Sequence, residues 1–86
     1  MIREEILKEA LETVSARGDV YGPPEENFQN IADLWKAYWG APISTHDVAV
    51  MMMLVKVARL MKSPYHHDSW VDICGYAALG GEVTAN

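Results

Sequence analysis

The apolar residues of this chain fall into four runs with helical spacing, separated by short segments rich in glycine, proline and serine. In the first run Ile2, Ile6, Leu7, Ala10, Leu11 and Val14 recur with Glu and Lys between them. This predicts a helix from about Ile2 to Arg17, broken by Gly18-Asp19. Pro23-Pro24 suits the next helix start, because a missing N–H there removes a donor that would have no partner anyway. Glu25 and Glu26 follow at the positive end of the helix dipole. The second predicted helix reaches about Trp39, where Gly40-Ala41-Pro42 ends it. Phe28, Ile31, Leu34, Trp35, Tyr38 and Trp39 gather on one arc, with Asn27 inside it. Glu26, Asn30 and Asp33 share the opposite face.

Ser44-Thr45-His46-Asp47 fits a capping box, with Ser44 as N-cap and Asp47 reaching back to it. From Val48 to Met61 the third helix is apolar in nearly every direction, and Lys56 and Arg59 form its one polar strip. A helix apolar all round is buried, and three neighbours cover only part of it. A second copy is therefore expected to cover the rest, as a homodimer or homotetramer. On the same pattern Met52→Lys, which extends the polar strip, is expected to be tolerated better than Met51→Lys or Met53→Lys. Ser63-Pro64-Tyr65 makes a turn, and the fourth helix runs from about His66 to Glu82. Asp68, Asp72, Gly75, Tyr76 and Leu79 form its polar side; Trp70, Val71, Ile73, Cys74, Ala77 and Ala78 occupy the rest. No segment alternates with the period of a strand. The expected fold is all-α, a single four-helix bundle over residues 1–86 with antiparallel neighbours.

Composition narrows the functional classes. One cysteine, Cys74, excludes a disulfide framework, and the charged, amphipathic MIREEILKEA start lacks the apolar core of a signal peptide. Both point to a cytoplasmic protein. The longest apolar stretch, Val48 to Val55, is too short to span a membrane. A net charge of −5 argues against nucleic acid held by bulk electrostatics, and suits a ligand that arrives with its own divalent cations.

Folding neighbouring helices antiparallel brings the informative charges together. About Pro64, Asp72 comes level with Lys56 and Asp68 with Leu60; about Ala41, Glu26 comes level with Ala58. Glu26, Asn27, Lys56, Arg59, Asp68 and Asp72 thus share one end of the bundle, with Asp47 at the other. Two readings follow. Lys56–Asp72 and Arg59–Asp68 are ion pairs that make a buried helix tolerable. Alternatively, the carboxylates one turn apart hold a divalent cation, with Lys56 and Arg59 beside it for phosphate. Glu26 points away from its own helix's apolar arc and joins such a site only where that face meets another helix or subunit. Other signals carry less. His46-Asp47 spells the dipeptide of metal-dependent phosphohydrolases, yet no histidine precedes it, as those enzymes require. His66 and His67 read as first-turn surface residues, Cys74 as a small core hydrophobe, and the aromatics as core residues, although Trp35 or Tyr21 would suit stacking on a base.

The segments RGDVYGPPEENFQNIADLW, LVKVARLMKSP and DSWVDICGYAAL resemble small phage-type proteins related to the MazG-like, all-α nucleoside triphosphate pyrophosphohydrolases. The likeness runs from Arg17 to Leu79. That superfamily holds Mg²⁺ with an E-x-x-E pair on one helix and an E-x-x-D pair on a later one. Asp68 and Asp72 match the second pair in place, with Asp for Glu and one residue more between them; Glu26 with Asn30 stands where the first would be. The resemblance implies a Mg²⁺- or Mn²⁺-dependent hydrolase that converts an NTP or dNTP to monophosphate and pyrophosphate. Asp68, Asp72 and Glu26 would hold the metal, and Lys56, Arg59 and Asn27 the substrate, with no catalytic side chain beyond these. A non-catalytic oligomeric module and a nucleotide-binding regulator remain open alternatives.

Overall fold

The computed structural model describes residues 2–85, and among them every regular element is a helix. The helices are α1 (Arg3–Tyr21), α2 (Pro24–Trp39), α3 (Thr45–Lys62) and α4 (His67–Ala85). Their ends follow from local chemistry. At the start of α3 the Asp47 N–H donates to Ser44 Oγ (3.1 Å) and the Ser44 N–H donates to Asp47 Oδ2 (2.9 Å), the reciprocal bonds of a capping box. Hydrogen bonding from Ser44 to the carboxylate, first from its backbone N–H and then from its side chain, holds the Asp47 carboxyl below its ordinary pKa. α2 ends at Gly40 in the left-handed conformation, whose N–H returns to Lys36 O.

α1 is longer than its hydrophobic pattern predicts. Gly18-Asp19 does not break it; the helix continues to Tyr21 and stops at Gly22, where φ is +75°. A helical glycine costs only about 1 kcal/mol relative to alanine, which tertiary contacts of the following turn readily offset. Here that turn carries Tyr21 onto the Arg17 side chain. Gly22 then precedes Pro23, which disfavours helical geometry at the residue before it.

α4 is the central helix, packed along α3 on one side and α1 on the other, while α2 lies mainly against α3. Glycines permit both close approaches. A Cβ on Gly80 would stand 2.8 Å from the Ala49 Cβ on α3, and one on Gly75 would stand 3.4 Å from Val14 Cγ1 on α1. The core lies between α2, α3 and α4, built from Phe28, Ala32, Val48, Ala49, Leu79 and Val83, with Met52, Trp35 and Tyr76 packed against it.

The orientation of two helices departs from the sequence reading. On α4 the mixed strip turns inward, burying Gly75 and Leu79, whereas Trp70, Ala77 and Ala78 are exposed. On α3 the inward side carries Val48, Ala49, Met52 and Lys56, and the outward side is the apolar one. The expected tolerance of lysine therefore reverses: Met51 is exposed, and Met52 packs on the core. Leu7, Leu11, Leu34, Tyr38 and Trp39, placed on apolar arcs by their spacing, are likewise exposed.

Candidate functional site

Antiparallel packing of α3 on α4 gives the predicted pairing of Lys56 with Asp72. Lys56 Nζ lies 3.1 Å from Asp72 Oδ2, with the lysine side chain 13% exposed and the aspartate 34%. Asp72 also lines a cleft between α1 and α4, together with Thr13, Arg17, Val71, Gly75 and Tyr76. The cleft holds about 80 Å³ of free space. Binding pockets for whole drug-sized ligands run to roughly 300–1,000 Å³, so this one is the size of a phosphate group, with room outside it for the remainder of a larger molecule.

Arg17, at the α1 side of the cleft, was not singled out by spacing or charge pattern. Its guanidinium carbon lies 4.4 Å from the Tyr21 ring centroid, 5.6 Å from Tyr76 and 5.9 Å from Phe28. Stacking a guanidinium on aromatic faces is favourable and fixes its plane. One Nη2 N–H donates to Asn27 Oδ1 at 3.1 Å, whereas the buried Nε has no hydrogen-bond acceptor. A buried donor without an acceptor is costly and is commonly resolved by a bound water or anion. The sequence signal that points to this residue is the i, i+4 spacing of Arg17 and Tyr21, which requires the helix to pass through Gly18.

A chain of contacts therefore links all four helices. Asn27 of α2 accepts from Arg17 of α1; Arg17 and Asp72 of α4 face the same cleft; Asp72 pairs with Lys56 of α3. The other predicted site residues lie apart. Asp68, one turn before Asp72, is exposed. Arg59 is exposed beside Lys62 and His66 in a shallow groove at the α3–α4 turn, and makes no ion pair with Asp68. Glu26 is exposed next to Asn27 and is not among the residues lining the cleft. Among the described residues no three His, Cys, Asp or Glu side chains converge as a metal site.

The histidines have structural roles. His66 Nδ1 accepts the Ser69 backbone N–H (3.2 Å) and lies 2.7 Å from Ser69 Oγ, closing the start of α4 over a fully buried serine. His67 Nε2 pairs with the Glu9 carboxylate on α1. Cys74 is a half-buried free thiol. A roomier hollow, about 450 Å³, lies between the end of α2 and the start of α3. Trp35, Tyr38, Trp39, Ile43 and Met51 line it, with Asp47 as its one charged residue. It lacks cations, so its chemistry does not suit a phosphate.

Comparison with known proteins places this geometry in a family context. The family model described as Domain of unknown function (DUF6378) matches residues 5–84. The Gene 55 protein of Mycobacterium phage L5 is 47% identical over 76 residues, covering 86% of this chain and 49% of that protein. The Gene 55 protein of Mycobacterium phage D29 is 45% identical over 75 residues, covering 86% and 50%. The chain thus spans about half the length of the curated relatives it matches. No solved structure matches it. No helix among the described residues is long and apolar enough to cross a membrane.

Proposed function

The chain belongs to the phage-type family described as Domain of unknown function (DUF6378), and from that footing we propose that it is a MazG-like nucleoside triphosphate pyrophosphohydrolase, acting with Mg²⁺ or Mn²⁺ in the cytoplasm as a homodimer or homotetramer. Water attacks the α-phosphorus of an NTP or dNTP. A new P–O bond forms, the bridging P–O bond breaks, and nucleoside monophosphate and pyrophosphate leave.

One observation supports this reading above others: a guanidinium and a carboxylate from two helices line a phosphate-sized cleft, and an ammonium from a third helix pairs with that carboxylate. Arg17 lines the cleft with its plane fixed by aromatic rings, so its guanidinium is set to donate to an oxyanion there. Lys56 gives up Asp72 for a phosphate oxygen when one enters, offsetting the charge that Asp72 would otherwise oppose. Arg59, one turn along α3 in its own shallow groove, is the cation for phosphates that extend beyond the cleft. Asn27 holds Arg17 in place. The nucleoside stays outside, because the cleft has no room for it.

The donor set fits a cation delivered with the nucleotide and not a free-standing metal site. Mg²⁺ keeps several waters and typically takes one or two carboxylates plus phosphate oxygens. Asp72 and Asp68 would supply these, with Glu26 joining only through another subunit. The ion would contribute charge against the phosphoryl oxygens and acidify the attacking water.

Asp68 is exposed and outside the cleft, which leaves Asp72 as the one carboxylate lining it and favours a second reading, a regulator that binds nucleotide without turnover. Assay of the purified protein against the common NTPs and dNTPs with Mg²⁺ separates the two. Pyrophosphate release that is lost in Asp72→Asn supports the enzyme. A nucleotide-dependent rise in Tm without release supports the regulator, and neither release nor shift refutes both.

A further inference from the structure

The outward side of α3 carries a stripe made of Val50, Leu54, Val57 and Met61. Their spacing of four, three and four is the heptad seam of a helix that packs against another helix. Leu54 is 59% exposed and Met61 83%, while Val50 and Val57 are 39% and 42% exposed, so among the described residues the stripe is left largely open. The only charged residues between its ends, Lys56 and Arg59, project off it.

From this stripe we infer that α3 packs antiparallel against α3 of a second copy about a two-fold axis, with Leu54 opposite the partner's Val57 and Val50 opposite the partner's Met61. Area is the first argument for that occupant. A folded chain of 9.6 kDa exposes about 5,100 Å² by the usual scaling. This one exposes 6008 Å², an excess of roughly 900 Å². One partner's share of a standard-size interface is about 800 Å². A two-fold contact also requires a patch complementary to itself, which an uncharged heptad stripe provides.

Charge decides the direction. At about 100° per residue, Asp47 and Lys62 fall on the same flank of the stripe, at its opposite ends. In the antiparallel register each Asp47 comes within about one helical turn of the partner's Lys62, at both ends of the contact. Parallel packing instead keeps each Asp47 and the partner's Lys62 at opposite ends of the contact, so neither gains an opposite charge. The inference rests on the self-association in the reading above and not on the nucleotide chemistry, since no residue of the stripe lines the Asp72 cleft.

The test combines sedimentation with cross-linking on the full chain. Wild type is expected as a dimer or larger even-numbered assembly at micromolar concentration. Leu54→Glu, on an exposed position, is expected to remain helical by circular dichroism and weaken association by about 30-fold or more, as loss of a central anchor does. In a Cys74→Ala background, Val50→Cys and Met61→Cys proteins should form a mixed disulfide when combined, and Val50→Cys alone should not link to itself. A monomeric wild type overturns the inference together with the proposed self-association. An assembly indifferent to Leu54→Glu overturns this interface alone, and efficient self-linking of Val50→Cys overturns its antiparallel direction.

Discussion

Asp72→Asn should destabilise the protein more than Lys56→Met, because the partner it leaves behind is the more buried one. With the carboxylate gone, an ammonium stays on a side chain that is 13% exposed; with the ammonium gone, the carboxylate is 34% exposed and can hydrate. Stranding a fully buried charge costs about 3–5 kcal/mol, and an exposed pair is worth about 1 or less. Scaled to these exposures, Asp72→Asn should cost about 2–3 kcal/mol and Lys56→Met about 1–2. Apolar replacement of both, Lys56→Met/Asp72→Leu, should return to within about 1 kcal/mol of wild type, since such replacements are often neutral. With Asp72→Leu as the single variant that closes the cycle, at a cost like that of Asp72→Asn, the coupling energy between the two sites comes out at about 2–5 kcal/mol. Urea denaturation of the wild type, the three single variants and the double variant at one fixed concentration measures it, with a slope of about 1 kcal/mol/M for a chain this short. A greater loss from Lys56→Met than from Asp72→Asn, or a coupling under about 0.5 kcal/mol, would refute the reasoning from burial. A stable Lys56→Met with weakened nucleotide affinity would instead mark the pair as part of a solvated cleft. Large coupling with unchanged nucleotide affinity would leave a structural salt bridge and no site.

Gly80→Ala should destabilise by about 1–2 kcal/mol because its Cβ meets Ala49, while Gly18→Ala, with nothing nearby, should stabilise by about 0.5–1; thermal melts read both. Met52→Lys should lower the Tm well below that of Met51→Lys, since Met52 packs on the core and Met51 is exposed; equal Tm values would show that Met52 does not depend on that packing. Ser44→Ala should cost about 0.5–2 kcal/mol through loss of the α3 cap. Because folding lowers the Asp47 pKa from 3.8, the stability from this cap is full above that value and is lost as pH falls through the depressed one. Acid titration of Asp47→Ala against wild type should show the gap narrowing only in that range.

Much of the architecture is determined by short-range pattern. The number of helices, the Ser44–Asp47 cap and the stop at Gly40 depend on residues within one or two turns of each other, and so are visible along the chain, whereas the passage of α1 through Gly18 to Gly22 is not. The Lys56–Asp72 pair is legible for a related reason. A short turn at Pro64 leaves two antiparallel helices little freedom of register, so counting residues from the turn finds the partners. Direction around each helix was a different matter. Most of α3 and α4 is apolar, and a helix apolar on most sides carries no periodic signal to say which side faces in. Packing decided it: Gly75 and Gly80 let α4 approach α1 and α3 closely, and that contact turned the Asp68–Asp72 strip inward, with Asp68 left at its exposed edge. Arg17 was settled the same way. Its rings come from α1, α2 and α4, and its Asn27 partner lies across the α1–α2 junction, a convergence of residues far apart in sequence. Whether a charge ends in a cleft, as Asp72 does, or on the surface, as Arg59 and Glu26 do, depends on a few degrees of rotation per helix, and those are set by side-chain volumes across the contact.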